Sequence, residues 1–310
     1  MSLRIAVVGV GHLGQHHARL LASMAGVRLA GIVDTKPGRA EEIAAKYGVT
    51  GFPHLRDLPL DAIDAATIAV PTVSHLDIAM PLIAAGIPVM IEKPLASSLA
   101  DADRLIEAAA RSGVVLAAGH TERFNPAVVA ALPYVSNPRF VEVHRLGTFP
   151  ERSLDIDVVF DLMIHDLDLL LASVKSAVTS IEAVGVNVLT PRTDIANVRL
   201  RFASGCIANV TASRISREKV RKVRFFQQQS YLSIDTAAQE AEMFRLVAHN
   251  GRPRIEGGKL DVVRDEPLRA ELADFVDAVR HRREPRVTGQ AGRNALELAT
   301  KVAEAMEAST

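Results

Sequence analysis

The sequence predicts a two-domain α/β protein. A doubly wound parallel sheet is expected over residues 1–120, followed by an α+β domain on an open, mostly antiparallel sheet over residues 121–310. Three observations predict this. The chain has 310 residues, enough for about two cores of ordinary size. Up to Gly119, short β-branched strands alternate with amphipathic helices across brief connections, the pattern of a parallel sheet covered by helices. Beyond Gly119 the rhythm changes to one strongly apolar helix and several long strand-like runs, the pattern of helices segregated from a sheet.

Residues 4–8 read as the first strand, 13–24 as the first helix and 27–33 as the second strand. The helix over 38–46 has Pro37 near its first turn and Gly48 just past its end. A third strand covers 65–70, and Ser74 is placed to cap a helix ending near Gly86. Strand 89–91 leads into Glu92-Lys93-Pro94. Ser98, with Asp101 three residues on, forms a capping-box pattern for a helix stopping at Gly113, and 114–118 is the fifth strand. In the second half, 140–148 alternates and 158–172 is an apolar helix. Strands are expected at 180–189, 197–202, 207–215, 222–234 and 242–249, with closing helices at 267–282 and 290–308.

Lys+Arg and Asp+Glu both number 36, so no net field attracts nucleic acid or an anionic membrane. The longest apolar stretch, 78–91, is shorter than a membrane span and is interrupted by Pro81, Gly86 and Pro88. The first residues lack the apolar core and cleavage site of a signal peptide. The single cysteine, Cys206, cannot form an internal disulfide and suits a reducing compartment. A cytoplasmic protein with neither nucleic acid nor membrane as partner is expected.

Gly9-Val10-Gly11-His12-Leu13-Gly14 is a GxGxxG that follows a strand and opens a helix. In that context the first glycine permits a tight turn, the second lets backbone approach a pyrophosphate, and the third allows close helix–strand packing. The helix N-terminus offers N–H groups and a positive dipole end to the phosphates, so this is the pattern of a Rossmann domain. Asp34, at the end of the second strand, stands where a carboxylate accepts hydrogen bonds from the adenosine ribose. Its charge favours NAD over NADP, a preference that Lys36 and Arg39 just downstream could soften.

Two further features carry chemistry. Glu92-Lys93-Pro94 leaves the C-terminal end of a strand, the edge where open α/β sheets place ligands. In helix 158–172, Asp161, His165 and Asp168 share one stripe at i, i+4, i+7, joined by Asp157 a turn earlier, with Asp166 on the opposite side. A helix apolar nearly all round is buried, so such a stripe must meet partners or a cavity. The other histidines show no ligand spacing and Cys206 stands alone, so no metal is expected.

The set formed by the glycine loop, Asp34, Pro71-Thr72-Val73-Ser74-His75, Glu92-Lys93-Pro94 and the Asp161/His165 unit resembles the glucose–fructose oxidoreductase/inositol dehydrogenase/MocA family over essentially the whole chain. The resemblance implies NAD-dependent oxidation of a sugar hydroxyl to a ketone, with Lys93, Asp161 and His165 as the catalytic group. It implies cofactor contacts from Gly9, Gly11, His12, Leu13, Gly14, Asp34, Pro71, Thr72, His75, Glu92 and Lys93, with Glu92 near the nicotinamide ribose. A histidine of ordinary pKa ~6.5 is a competent base near neutrality, whereas a lysine of ~10.4 must be shifted down. His165 is therefore expected as base, Lys93 as donor to the reacting oxygen or proton relay, and Asp161 as the group orienting both; Lys93 as the proton acceptor stays open as the alternative.

Segments 119–126 and 157–171 further resemble bacterial members acting on the C3 hydroxyl of UDP-N-acetylglucosamine. That likeness makes Arg123, Arg152 and Asp168 the expected substrate residues, with Arg145 and Arg214 as further cations for a diphosphate. Two other readings stay open: a dehydrogenase of free inositol or hexose, and a dinucleotide-binding regulator without turnover. An open sheet leaves one face uncovered, so a homodimer or homotetramer formed through it is expected.

Overall fold

The structure is a computed structural model and describes residues 2–149, 156–249 and 252–308. The chain divides into two compact units. The first comprises Met1–His120 and Leu268–Leu296, the second Thr121–Pro267 and Glu297–Thr310.

In the first unit the elements run β1 (Leu3–Val8), α1 (Gly14–Ser23), β2 (Val27–Val33), α2 (Arg39–Tyr47), β3 (Gly51–Phe52), β4 (Ala65–Ile68), α3 (His75–Ala84), β5 (Val89–Glu92), α4 (Leu99–Ser112) and β6 (Leu116–Gly119). The sheet order is β3-β2-β1-β4-β5-β6, and every pairing is parallel. This is the doubly wound dinucleotide-binding order, whose strand order reverses beside β1 and β4 and opens a crevice at their carboxyl ends. β4, β5 and β6 are buried along their length, which is why they read as unbroken apolar runs. Ser98 caps α4 as expected, its Oγ accepting from Asp101 N at 3.1 Å. Ser74 precedes α3 but makes no side-chain cap bond.

Residues 268–296 belong to this first unit, not to the second as chain order suggested. The reason is packing. Leu272, Phe275 and Val276 of α7 (Pro267–His281) are buried in the same core as Ile5, Val7, Ile32 and Met90. Just beyond α7, Ala118 N donates to Val287 O at 3.1 Å and Ala117 bridges Thr288, so a returning segment covers the otherwise unpaired β6 edge. The division between units then falls within α8 (Gly289–Glu307).

The second unit contains α5 (Pro126–Ala131), β7 (Phe140–Leu146), α6 (Ile164–Val174), β8 (Val178–Val186), β9 (Ile195–Phe202), β10 (Ile207–Ser213), β11 (Val220–Gln227), β12 (Ser230–Asp235), β13 (Glu240–His249) and β14 (Arg252–Lys259). Its sheet runs β14-β13-β12-β11-β7-β10-β9-β8, antiparallel throughout except where β7 lies parallel to β10. β7 alternates buried with half-buried positions and β9 buried with mostly exposed ones, so one face is packed more closely than the other. Helix α5 covers β12 and β13 on the packed side.

Residues 222–234, expected as one strand, fold as β11 and β12. Their turn places Gln229 at φ +67, a left-handed conformation usually given to glycine or asparagine, so nothing in the sequence marks it. The expected helix at 158–172 begins as a π-helical turn, Val159–Met163, before α6. No helix among the described residues is long and apolar enough to cross a membrane.

Candidate active site

The cofactor loop is shaped by what its glycines lack. Gly9 has φ +84, and its N–H donates to Val33 O at 2.7 Å. A Cβ on Gly14 would lie 1.8 Å from Gly9 O, so only glycine lets α1 start against the loop. A Cβ on Gly11 would meet nothing within 4 Å; the bare backbone there borders open space at the N-terminus of α1, the room a phosphate needs. His12 and Leu13 are exposed beside it.

Asp34 is locked in place, Oδ2 accepting from Val10 N and Oδ1 from Lys36 N, each at 2.8 Å. With Gly11 and Lys36 it lines a groove of about 520 Å³. A carboxylate has about four acceptor positions, so Asp34 retains capacity for ribose hydroxyls. Arg39 reaches the same groove: Nε donates to Val10 O at 2.9 Å, while Nη1 is 2.8 Å from Glu42 Oε2, a carboxylate that offsets its charge. Open backbone at Gly11, a fixed carboxylate and a helix N-terminus fit a bound dinucleotide.

At the end of β5, Lys93 is partly exposed, next to Pro71 and Thr72 only in the sense that all leave the carboxyl ends of neighbouring strands. Two expected cofactor contacts turn inward instead. His75 is buried with Nδ1 3.0 Å from Pro94 O and Nε2 3.1 Å from Val70 O, so the ring braces the Lys93 turn against the end of β4. Burial pulls its pKa below the ordinary value despite those carbonyls. Glu92, expected at the nicotinamide ribose, is buried with Oε1 3.0 Å from Nε2 of His17, a residue that the sequence reading did not single out. Its signal was a histidine on the apolar stripe of α1, among Gly14, Ala18 and Leu21.

In the second unit Asp161 lies in the π-helical turn and His165 in the first turn of α6, both partly exposed. Asp157 instead serves the entry of this helix, its Oδ1 accepting Thr193 N at 2.8 Å. Asp168 is buried 3.8 Å from Arg123 Nη1, so two expected substrate residues face each other. Arg152 lies outside the described residues.

Arg145 and Arg214, considered for phosphate binding, are committed elsewhere. Arg145 forks onto Asp166 (2.7 and 2.8 Å) and donates to Glu122 at 3.0 Å. Burial alone would lower its pKa, but the two carboxylates outweigh that and hold it above its ordinary value. Arg214 donates to Asp194 Oδ1 at 2.9 Å and to Ile156 O at 2.7 Å, pinning the segment before the helix. Asp166, placed by periodicity on the far side, is therefore an anchor of α6. Among the described residues no group of three or more His, Cys, Asp or Glu is arranged to hold a metal ion. Cys206 is buried, and burial pushes its thiol up to about 11, far from thiolate at neutrality.

Comparison with known proteins decides the family. Residues 3–120 match the model of an oxidoreductase family with an NAD-binding Rossmann fold, and residues 137–231 match the GFO/IDH/MocA C-terminal domain. The chain belongs to the Gfo/Idh/MocA oxidoreductase family. Within that family, UDP-N-acetylglucosamine 3-dehydrogenase of Acidithiobacillus ferrooxidans is 38% identical over 99% of this chain and 98% of its own. A solved structure of that enzyme superposes with TM-score 0.93, covering 99% of both chains. Myo-inositol 2-dehydrogenase of Thermotoga maritima is 26% identical over 98% of this chain and 96% of its own. A levoglucosan dehydrogenase structure, 18% identical with TM-score 0.89 over 100% of this chain and 98% of its own, shares the fold. As a Gfo/Idh/MocA member the protein is an oxidoreductase with an NAD-binding Rossmann domain.

Proposed function

We propose that the protein oxidises the C3 hydroxyl of UDP-N-acetylglucosamine, or of a similar nucleotide sugar, to a ketone with NAD. The observation that carries this reading is the 38% identity to a UDP-N-acetylglucosamine 3-dehydrogenase along essentially the full length of both chains. In this reading bound NAD supplies the hydride acceptor. His165 takes the hydroxyl proton, Lys93 donates a hydrogen bond to the reacting oxygen, and Asp161 orients the histidine. Arg123 and Arg152 remain the cations assigned to the diphosphate: Arg145 and Arg214 are held by short hydrogen bonds to internal carboxylates, whereas Arg123 meets Asp168 at the longer distance of 3.8 Å.

The diphosphate and uracil provide binding energy remote from the reacting carbon, and that energy holds C3 in line for hydride transfer. Free N-acetylglucosamine lacks those anchors. The test follows the reduced-nicotinamide absorbance of the protein with NAD and, in turn, UDP-N-acetylglucosamine, N-acetylglucosamine, myo-inositol and glucose. The expected result is turnover with the nucleotide sugar and a far lower kcat/KM with free N-acetylglucosamine. Coupling to an aminotransferase should then yield a 3-amino sugar. Robust oxidation of inositol or glucose without response to any UDP-sugar overturns the substrate while leaving the family untouched. The cytoplasm as compartment and a homo-oligomer as working form belong to the same proposal.

A further inference from the structure

We propose that His17 is a positioning residue for Lys93, acting through the buried carboxylate of Glu92. The proposal rests on the reading of Lys93 as a group at the reacting oxygen.

Glu92 is held by two hydrogen bonds within the first unit and lies against the bare backbone of a neighbouring strand. From α1, His17 Nε2 stands 3.0 Å from Oε1, and the His17 side chain is fully buried. From its own chain, Lys93 N donates to Oε2 at 3.3 Å. From the neighbouring strand, Glu92 pairs in register with Gly119, where a Cβ would sit 3.0 Å from both the Cα and Oε2 of Glu92. The carboxylate therefore fills the space that a side chain at Gly119 would take.

A buried carboxylate without a partner is costly, so this one needs a reason to exist. Burial alone would push the Glu92 carboxyl up; the His17 hydrogen bond and charge, followed by Lys93, outweigh it and hold the group below the usual carboxylate range. His17 Nδ1 is buried with no hydrogen-bond partner among the described residues, so the ring's one directed contact is the bond to Glu92.

What this bond joins gives it a function. His17 lies in the first turn of α1, whose N-terminus carries the phosphate loop, and Glu92 is bonded to the backbone of Lys93. The pair thus registers the element that anchors the cofactor's phosphates to the residue that must meet the reacting oxygen. Hydride and proton transfers depend on such registration, since about 1 Å of misplacement costs on the order of a hundredfold in rate.

The experiment uses the full-length protein with whichever of UDP-N-acetylglucosamine, myo-inositol or glucose it oxidises fastest. His17→Leu, His17→Gln and Lys93→Met are compared in Tm, NADH dissociation constant, KM and kcat. His17→Leu should lower kcat by about ten- to a hundredfold while the NADH dissociation constant changes by less than about threefold. His17→Gln keeps an amide donor near the Nε2 position and should recover most of that loss. A merely structural role predicts instead that kcat, NADH affinity and Tm decline together and that glutamine does no better than leucine; that result overturns the proposal, as does a His17→Leu variant with wild-type kcat. If His17→Leu fails to fold because Glu92 is left unpaired, the double variant His17→Leu/Glu92→Leu removes the buried charge. It should fold and still show the kcat loss; wild-type kcat in the double variant overturns the proposal. Lys93→Met separates the two readings. Wild-type turnover there sinks the catalytic assignment and the positioning role with it, whereas an impaired Lys93→Met beside an unimpaired His17→Leu sinks the positioning role alone.

Discussion

At the scale of single residues, chemistry and binding should come apart on substitution. If Lys93 has the proposed role at the reacting oxygen, Lys93→Met should cut turnover by about two orders of magnitude or more while leaving NAD affinity near wild type, as loss of acid–base assistance does. His165→Ala should behave alike, and wild-type kcat in either variant displaces its assigned role. Asp34 calls for a finer substitution than alanine, since its two oxygens also hold Val10 N and Lys36 N. Asp34→Asn keeps an acceptor and removes the charge. NAD should be preferred over NADP in the wild type, and this variant should narrow the preference by on the order of 1 kcal/mol, about fivefold, the scale of one charge–charge contact in a wet groove. Competitive titration of the two cofactors measures it. Clear wild-type preference for NADP would mean that Arg39 overcomes both Asp34 and the Glu42 carboxylate beside it.

At the scale of elements, α6 is held by charges hidden in apolar patterns. Arg145 occupies an inward position of β7, on the same face as Val141 and Val143, and meets Asp166 and Glu122 there. Arg145→Leu takes the fork from the buried Asp166 carboxylate and leaves Glu122 with Arg221 at 3.9 Å, and should destabilise the protein by about 3–5 kcal/mol, read as a fall in urea midpoint. The Asp194 turn should show a pH signature. Burial would raise that carboxyl, but the backbone N–H groups of Leu189 and Thr190, the Thr190 hydroxyl and Arg214 outweigh it and hold the pKa well below the ordinary range. A depressed folded-state pKa stabilises fully above the unfolded value of ~3.9 and loses that contribution as pH falls below it. Acid unfolding of Asp194→Asn should therefore depend less steeply on pH below 4 than wild type does.

These anchors also mark what the sequence could convey. The glycine loop, Asp34 and the α4 cap were legible because each is a local pattern whose geometry is set within a few residues. The His17–Glu92 and Arg145–Asp166 pairs were not, because separations of 75 and 21 residues leave no periodic trace. The π-helical turn bearing Asp161 has no composition of its own, and the return of α7 into the first core became visible only with the packing of Leu272, Phe275 and Val276.

At the scale of the whole molecule, the second unit presents a surface that water covers poorly. Phe140, Phe226, Tyr231 and Phe244 are register partners across β7, β11, β12 and β13, and so share the face opposite buried Val141, Phe225 and Leu232. The rings of Phe140 and Phe226 lie 5.5 Å apart, those of Phe226 and Tyr231 5.1 Å, in the contact range of aromatic pairs. Leu246, paired with Ile255, continues the row, and Phe226, Phe244, Leu246 and Ile255 all count as exposed. An apolar patch on one face of a sheet is a candidate association surface, and under the proposed homo-oligomer its expected occupant is a second copy of the chain. Light scattering on the eluting protein should give the mass of a dimer or tetramer. Phe244→Glu/Leu246→Glu should shift it toward the monomer while leaving the Tm of the folded units within a few degrees, since both side chains are exposed and not part of the core. A wild-type monomer at micromolar concentration, or a double variant that stays assembled, would place the association surface elsewhere or remove it.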